Sequence, residues 1–289
     1  MNTIKTAILM ALLTVLLVMV GGALGGRNGA QMMLIISLIM NFITYWNSDT
    51  IILKSYNARE ITRSQAPQLY GLVEQLAQKA ELPMPKVCII RSEAPNAFAT
   101  GRNPEHSAVC VTTGIMKTLS YEEMAGVLAH ELSHIKHHDT LIATIAASFA
   151  GVISMIGNIA QWTAIFGGFG GRNRDNNGGI VGLIFMIVIA PLCAMLIQLA
   201  ISRSREYDAD KLGGEICGNP RDLARALQKI EYCAKNLSPL PGAKPATAHL
   251  FIINPLSGTK QTFASLFRTH PTTGERVARL EAQAREMGK

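Results

Sequence analysis

The stretch Ser120-Tyr121-Glu122-Glu123-Met124-Ala125-Gly126-Val127-Leu128-Ala129-His130-Glu131-Leu132-Ser133-His134 decides how the rest of the chain is read. Ser120 followed three residues later by Glu123 is a capping box, in which each side chain satisfies a backbone N–H of the other. Good helix formers follow, so one helix is expected from 121 to about 138. On a helix, residues four apart lie about 40° apart around the axis and about 6 Å along it. His130 and His134 therefore leave the same face and can grip one ion. Glu131 stands beside the first ring, where a carboxylate can take a proton from water. This is the geometric content of H-E-x-x-H, the zinc metallopeptidase pattern.

Composition places that helix in a membrane protein. Of 289 residues, 48% are hydrophobic and only 16% charged, against about 25% charged in ordinary globular domains. The deficit is concentrated in four uncharged stretches. Thr6 to Gly26 and Asn28 to Ser48, separated by Arg27, are each long enough to cross a bilayer. A second apolar stretch directly after the first argues for a transmembrane hairpin rather than a cleaved leader. Tyr45 and Trp46 suit the interfacial belt at its end. Thr140 to Gly171 and Gly179 to Ser202 are the third and fourth spans, the last interrupted by Pro191. Lys54, Arg59 and Arg63 follow the first hairpin closely, which puts the chain from residue 50 onward in the cytoplasm. Arg172 and Arg174 in the second hairpin's turn run against that bias.

The net charge of +7 is explained by positive residues near membrane ends. No basic run is interleaved with aromatics, so nucleic acid is not an expected partner. Five scattered cysteines without a C-x-x-C pair read as reduced residues of a cytosol-facing protein.

Between the hairpins, Ser64 to Ala80 carries a helical apolar stripe that Pro83 and Pro85 end. Val87 to Ile90 is a short strand. Asn96 to Gly101 and Ala108 to Gly114 form a β-hairpin, expected beside the metal helix. Its Asn96, Ala97 and Phe98 are candidates for holding a substrate backbone by strand addition; a purely structural hairpin fits as well. After residue 202, helices are expected at 203–212, 220–237 (capped by Asn219) and 274–287.

Two histidines do not complete a catalytic zinc site, which ordinarily takes three protein ligands. The metzincin extension needs glycine at 137 and histidine at 140, whereas the chain has His137 and Thr140. His137 and His138 read as solvent or outer residues. A carboxylate from a later helix is the other solution. Glu206 can bind the ion while Asp210, one turn on, orients a ligand histidine; a solvated acidic helix start is the plainer alternative. Topology favours the ligand. The histidines lie just before the third span and Glu206 just after the fourth, so two crossings return Glu206 to their side.

Here the motifs converge. The strings AGVLAHELSH, SRSREYDAD and THPTTGER, together with NAFA and the N-terminal hairpin, resemble the HtpX family of bacterial membrane zinc endopeptidases, relatives of the CAAX prenyl proteases. The resemblance implies His130, His134 and Glu206 as ligands of one Zn2+ per chain and Glu131 as catalytic base. It also implies a multi-pass protein of the bacterial inner membrane with its active site in the cytoplasm. The implied work is stress-responsive cleavage of misfolded or damaged membrane proteins. His270 and Arg276 are candidates for stabilising an oxyanion, with a structural helix cap as the alternative; Arg203 and Arg205 are weaker ones.

The expected fold is a mainly α membrane protein (α+β), with four transmembrane helices and a cytosolic zincin-like metallopeptidase domain containing a small β-sheet. Residues 1–49 form the first hairpin, 50–139 the first part of the peptidase domain, 140–202 the second hairpin and 203–289 the second part. The bilayer and polypeptide substrates are the expected partners. Two other functions fit less well. A narrow-specificity processing protease would be favoured by a larger intramembrane chamber than four spans provide. A non-catalytic adaptor with structural zinc has no use for Glu131.

Overall fold

The computed structural model describes residues 2–146, 203–236, 252 and 271–289. The fourth expected span, most of the third, the loop at 238–247 and His270 lie outside them.

The chain opens with α1 (Asn2–Trp46), a helix broken at Gly25 and Gly26. Gly26 has φ +57° and ψ −146°, a conformation that glycine reaches without the Cβ penalty other residues meet. The break folds α1 into an antiparallel hairpin. Gly21 and Gly29 let the two arms touch, since a Cβ at Gly21 would lie 2.5 Å from the Gly29 carbonyl oxygen. Farther along, the Asn41 amide donates to Thr14 Oγ1 at 2.9 Å and to the Met10 carbonyl at 3.4 Å. The second arm, Gly25–Trp46, is long and apolar enough to cross a membrane by length and composition. The first, Thr6–Gly22, is apolar but shorter. Its inner face, Leu9, Leu13 and Leu17, packs on Ile142 and Ile145, which belong to a helical run at 139–146. The second arm leaves Ile35, Leu38, Ile39 and Phe42 exposed. Of four expected spans, the described residues thus show one hairpin and the start of a third helix.

After α2 (Ser48–Ser55) come β1 (Arg59–Glu60), α3 (Pro67–Lys79), β2 (Lys86–Ile90), β3 (Ala97–Asn103), β4 (His106–Thr112), α4 (Thr113–Thr118) and α5 (Tyr121–Lys136). The sheet runs β1-β2-β4-β3, with β2 parallel to β4 and the outer strands antiparallel. Successive side chains on a strand point to opposite faces, and both faces are covered. Val87, Ala97, Val109 and Val111 join the main core with α3 and α5. Cys88, Ile90, Phe98 and Cys110 meet Ile52 and Tyr56. The expected hairpin and strand are present. β1 was not anticipated, being only two residues, both exposed. Nor was α4, which claims Gly114 from the expected strand because Thr112 caps a helix there, its Oγ1 accepting from the Ile115 N–H at 3.2 Å.

Beyond the undescribed segment lie α6 (Arg203–Cys217), α7 (Pro220–Asn236) and α8 (Thr273–Glu286). α6 runs more than a turn past the expected end and stops before Gly218, whose φ of +87° suits the residue after a helix. α7 buries Leu223, Leu227 and Ile230. α8 opens on a capping box between Thr272 and Glu275. α5 is surrounded by α3, β3, α6 and α7, so the helix carrying both histidines is the centre of the core.

Candidate metal centre

The α5 capping box forms as the sequence dictates: Glu123 N–H donates to Ser120 Oγ at 3.3 Å, and Ser120 N–H to Glu123 Oε2 at 2.9 Å. With Val127, Leu128, Leu132 and Ile135 buried, the helix cannot rotate about its axis. His130 and His134 are thereby held on the side facing α6, their Nε2 atoms 3.2 Å apart. Glu206, in the first turn of α6, reaches both rings. Its Oε2 lies 3.8 Å from His130 Nε2 and its Oε1 3.6 Å from His134 Nε2. One ligand atom from each of the three residues lies within 4.8 Å of the others. His130 and Glu206 are buried; His134 is partly open. Two imidazoles and a carboxylate converging with one side open are the donor set of a three-ligand catalytic metal site.

Two further carboxylates address the rings from behind. Asp210, one turn beyond Glu206, places Oδ1 3.0 Å from His130 Nδ1. It also accepts from Arg276 Nη2 at 2.6 Å and from Nε at 2.8 Å, a two-pronged pair closed by α8. Burial would raise the Asp210 pKa, but the Arg276 guanidinium and His130 outweigh it and hold the carboxyl below its ordinary range. On the other side Asp139 Oδ2 stands 3.3 Å from His134 Nδ1, and its Oδ1 lies 3.5 Å from Arg205 Nη1. Burial lowers the His134 pKa, yet the Asp139 hydrogen bond and the charges of Glu206 and Glu131 push it up to about 9.

Glu131 is buried between α5 and the sheet. Burial pushes its carboxyl above the usual value against the pull of His130 and His134, and the backbone of Ala99 hydrogen-bonds it. A raised carboxyl beside two imidazoles can accept and return a proton near neutrality.

The expected site residues divide by location. His130, Glu131, His134, Glu206, Asp210 and Arg276 are brought together. Arg276, only 2% exposed, pairs with Asp210 and also brings Nη1 to 3.9 Å from Glu206 Oε2. Ala97 and Phe98 begin the edge strand β3, Asn96 directly precedes it, and Ala99 touches Glu131. The Phe98 side chain turns to the far face against Tyr56, with ring centroids 5.8 Å apart. Asn96 Oδ1 accepts from the Ala97 N–H at 3.0 Å. The Ala97 carbonyl on the open edge accepts from the Ile252 N–H at 3.3 Å. His137 and His138 are exposed. Sequence reasoning missed Asp139 and the Ala99 backbone. Asp139 carried a signal, being the last charge before a long apolar run.

The profile of Peptidase family M48 matches residues 63–284. A protein named Protease HtpX homolog from Thermodesulfovibrio yellowstonii is 56% identical over 285 residues, covering 99% of each chain. The homologue from Syntrophotalea carbinolica is 53% identical over 254 residues, 88% of this chain and 89% of that one. One from Thermococcus kodakarensis is 53% identical over 251 residues, 87% of this chain and 86% of that one. Among solved structures, S. mikatae Ste24p superposes with a TM-score of 0.52 at 16% identity. That match covers 97% of this chain and 65% of Ste24p, and it speaks to the fold alone. Because the matched region carries both the H-E-x-x-H helix and Glu206, and kinship extends over nearly the whole length, the chain belongs to peptidase family M48, as an HtpX-like metalloprotease.

Proposed function

We propose that this protein is a zinc-dependent endopeptidase of the bacterial cytoplasmic membrane that hydrolyses misfolded or damaged membrane proteins, its active site facing the cytoplasm. The observation that carries the reading is Glu131, buried against the converging His130, His134 and Glu206 and touching the edge strand β3. A structural metal site has no need of a carboxylate there.

In this reading His130, His134 and Glu206 hold one Zn2+. When bound, the ion supplies Lewis acidity that polarises a carbonyl and lowers the pKa of water to about 7. Glu131 removes the proton from the attacking water and later delivers it to the departing amine. β3, the edge strand beside Glu131, aligns the substrate backbone by strand pairing, a substrate strand there taking the place of the Ile252 N–H on the Ala97 carbonyl. Asp210, clamped by Arg276, fixes the His130 tautomer so that Nε2 offers its lone pair. Arg276 holds Asp210 and lies 3.9 Å from Glu206 Oε2, and His270 is the other residue proposed to stabilise the oxyanion.

The hairpin supports this location. Its second arm is span-like, and Lys54, Arg59 and Arg63 immediately after it favour the cytoplasmic side. A peptidase tethered there meets membrane proteins whose loops have lost their fold. The test is cleavage of casein, and of one membrane protein in folded and destabilised forms, by the detergent-solubilised full chain with metal analysis alongside. Chelator-sensitive cleavage of casein and of the destabilised form, with about one zinc per chain, is expected. Cleavage that survives chelation and metal loss would overturn the reading.

A further inference from the structure

α5 ends at Lys136, and His138 then takes a left-handed backbone conformation with φ +56°. For a residue with a Cβ this costs about 1 kcal/mol or more, and the chain holds it because the reversal brings Asp139 back over α5. Asp139 is 5% exposed. Its Oδ2 faces His134 Nδ1 at 3.3 Å, and its Oδ1 faces Arg205 Nη1 at 3.5 Å. The Arg205 side chain is itself 13% exposed, so the pair is shielded from screening water.

We propose that Asp139 and Arg205 form a positioning unit that orients His134 and fixes its distance from Glu206. The proposal rests on the metal reading above. His134 turns Nε2 toward Glu206 and His130, so Nδ1 is the remote nitrogen. A carboxylate accepting from Nδ1–H settles the tautomer and leaves the Nε2 lone pair for the cation. The arrangement repeats that of the other ring, where Asp210 faces His130 Nδ1 and Arg276 holds Asp210. Each imidazole thus has its own carboxylate, and each carboxylate its own arginine. The second pair does one thing more. Arg205 immediately precedes Glu206, so the ion pair ties the ligand-bearing turn of α6 to the turn that follows α5. These are also the two ends of the apolar 140–202 segment. A shift at either end would move His134 against Glu206.

The test is Zn2+ affinity of the metal-free full chain, measured by competition with a chromophoric chelator, together with apoprotein melting and casein kinetics. Asp139→Ala is expected to weaken Zn2+ binding about 10- to 100-fold. Asp139→Asn, which keeps an acceptor but loses the charge, should fall between. Arg205→Ala should weaken binding and Arg205→Lys should restore much of it. In every variant kcat should drop more than KM rises; apoprotein melting reports separately the structural cost of unpairing a buried charge, which Arg205→Lys should largely spare. Zn2+ affinity within about twofold of wild type in both Asp139→Asn and Arg205→Ala would overturn the proposal. If Asp139→Ala does not fold, those two variants still decide it. A wild-type chain that neither binds Zn2+ nor cleaves casein sinks the function itself; a competent wild type with unaffected variants sinks this inference alone.

Discussion

Gly213 of α6 crosses the backbone of His130 so closely that a Cβ at position 213 would lie 3.0 Å from both the His130 Cα and its N. Nothing between the helices can yield except backbone. The separation of α5 and α6, and hence the reach of Glu206 to the two rings, is set by a missing methyl group.

Gly213→Ala should therefore loosen the site. The added carbon forces the helices apart by a few tenths of an ångström, with overpacking strain of about 1–3 kcal/mol. Alanine's better helix propensity returns about 1 kcal/mol. Steric strain wins: stability should fall by about 1 kcal/mol and Zn2+ affinity with it. Denaturant titration and chelator competition measure the two. A more stable variant with unchanged affinity would show that the crossing is not tight.

Removing Arg276 should cost more. Asp210 and Arg276 are both buried and joined by two short hydrogen bonds. Arg276→Ala leaves the buried Asp210 charge with only the His130 ring beside it, a loss of about 3 kcal/mol. A sharply lowered denaturation midpoint is expected in urea. A loss under about 1 kcal/mol would mean that water reaches Asp210.

Metal binding should depend on pH with a definite sign. In the metal-free site the His134 pKa is raised from 6.5 to about 9, so below pH 9 a proton must leave before the ring can take a cation. Affinity should climb with pH up to about 9 and level off above it. The metal-free fold should show the opposite trend. A histidine pKa raised by folding adds stability that is fully present below pH 6.5 and is lost as pH rises through about 9. Chelator competition and apoprotein unfolding across pH 6–9.5 check both. Affinity that is flat between pH 7 and 9 contradicts the raised pKa.

The hairpin makes its own prediction. Gly21 and Gly29 touch where α1 folds back, and Asn41 bridges to Thr14 beyond them. Cysteines introduced as Thr14→Cys and Asn41→Cys should cross-link under oxidation. Adding Gly29→Ile, whose side chain has no room there, should abolish the cross-link. Unchanged cross-linking would mean that the arms do not meet at Gly21.

What could be read from the chain was what depends on near neighbours. Ser120 and Glu123 announce α5 because both partners of the capping box lie within one turn. The H-E-x-x-H face follows from helix pitch alone. Glu206 needed a longer argument, since it lies beyond the apolar 140–202 segment and nothing near it in sequence ties it to the histidines. Asp139 stayed hidden for the opposite reason. It belongs to His134 through a left-handed turn at His138, a conformation that a histidine favours only weakly, so its place as the last charge before the apolar run was the one sign it gave. Arg276 stood out as a charge near a helix start, but whether it faces a substrate or Asp210 depends on how α8 lies against α6. The two-residue β1 has no periodicity to detect.

The most direct measurement compares wild type with Glu131→Gln, purified side by side in detergent, for zinc content and casein cleavage. Glutamine keeps the shape of the side chain and its contact with Ala99 but cannot take a proton. Full zinc occupancy with cleavage reduced by at least about 100-fold is predicted. A variant that keeps its zinc and still cleaves near the wild-type rate would contradict the role of Glu131 and the mechanism built on it.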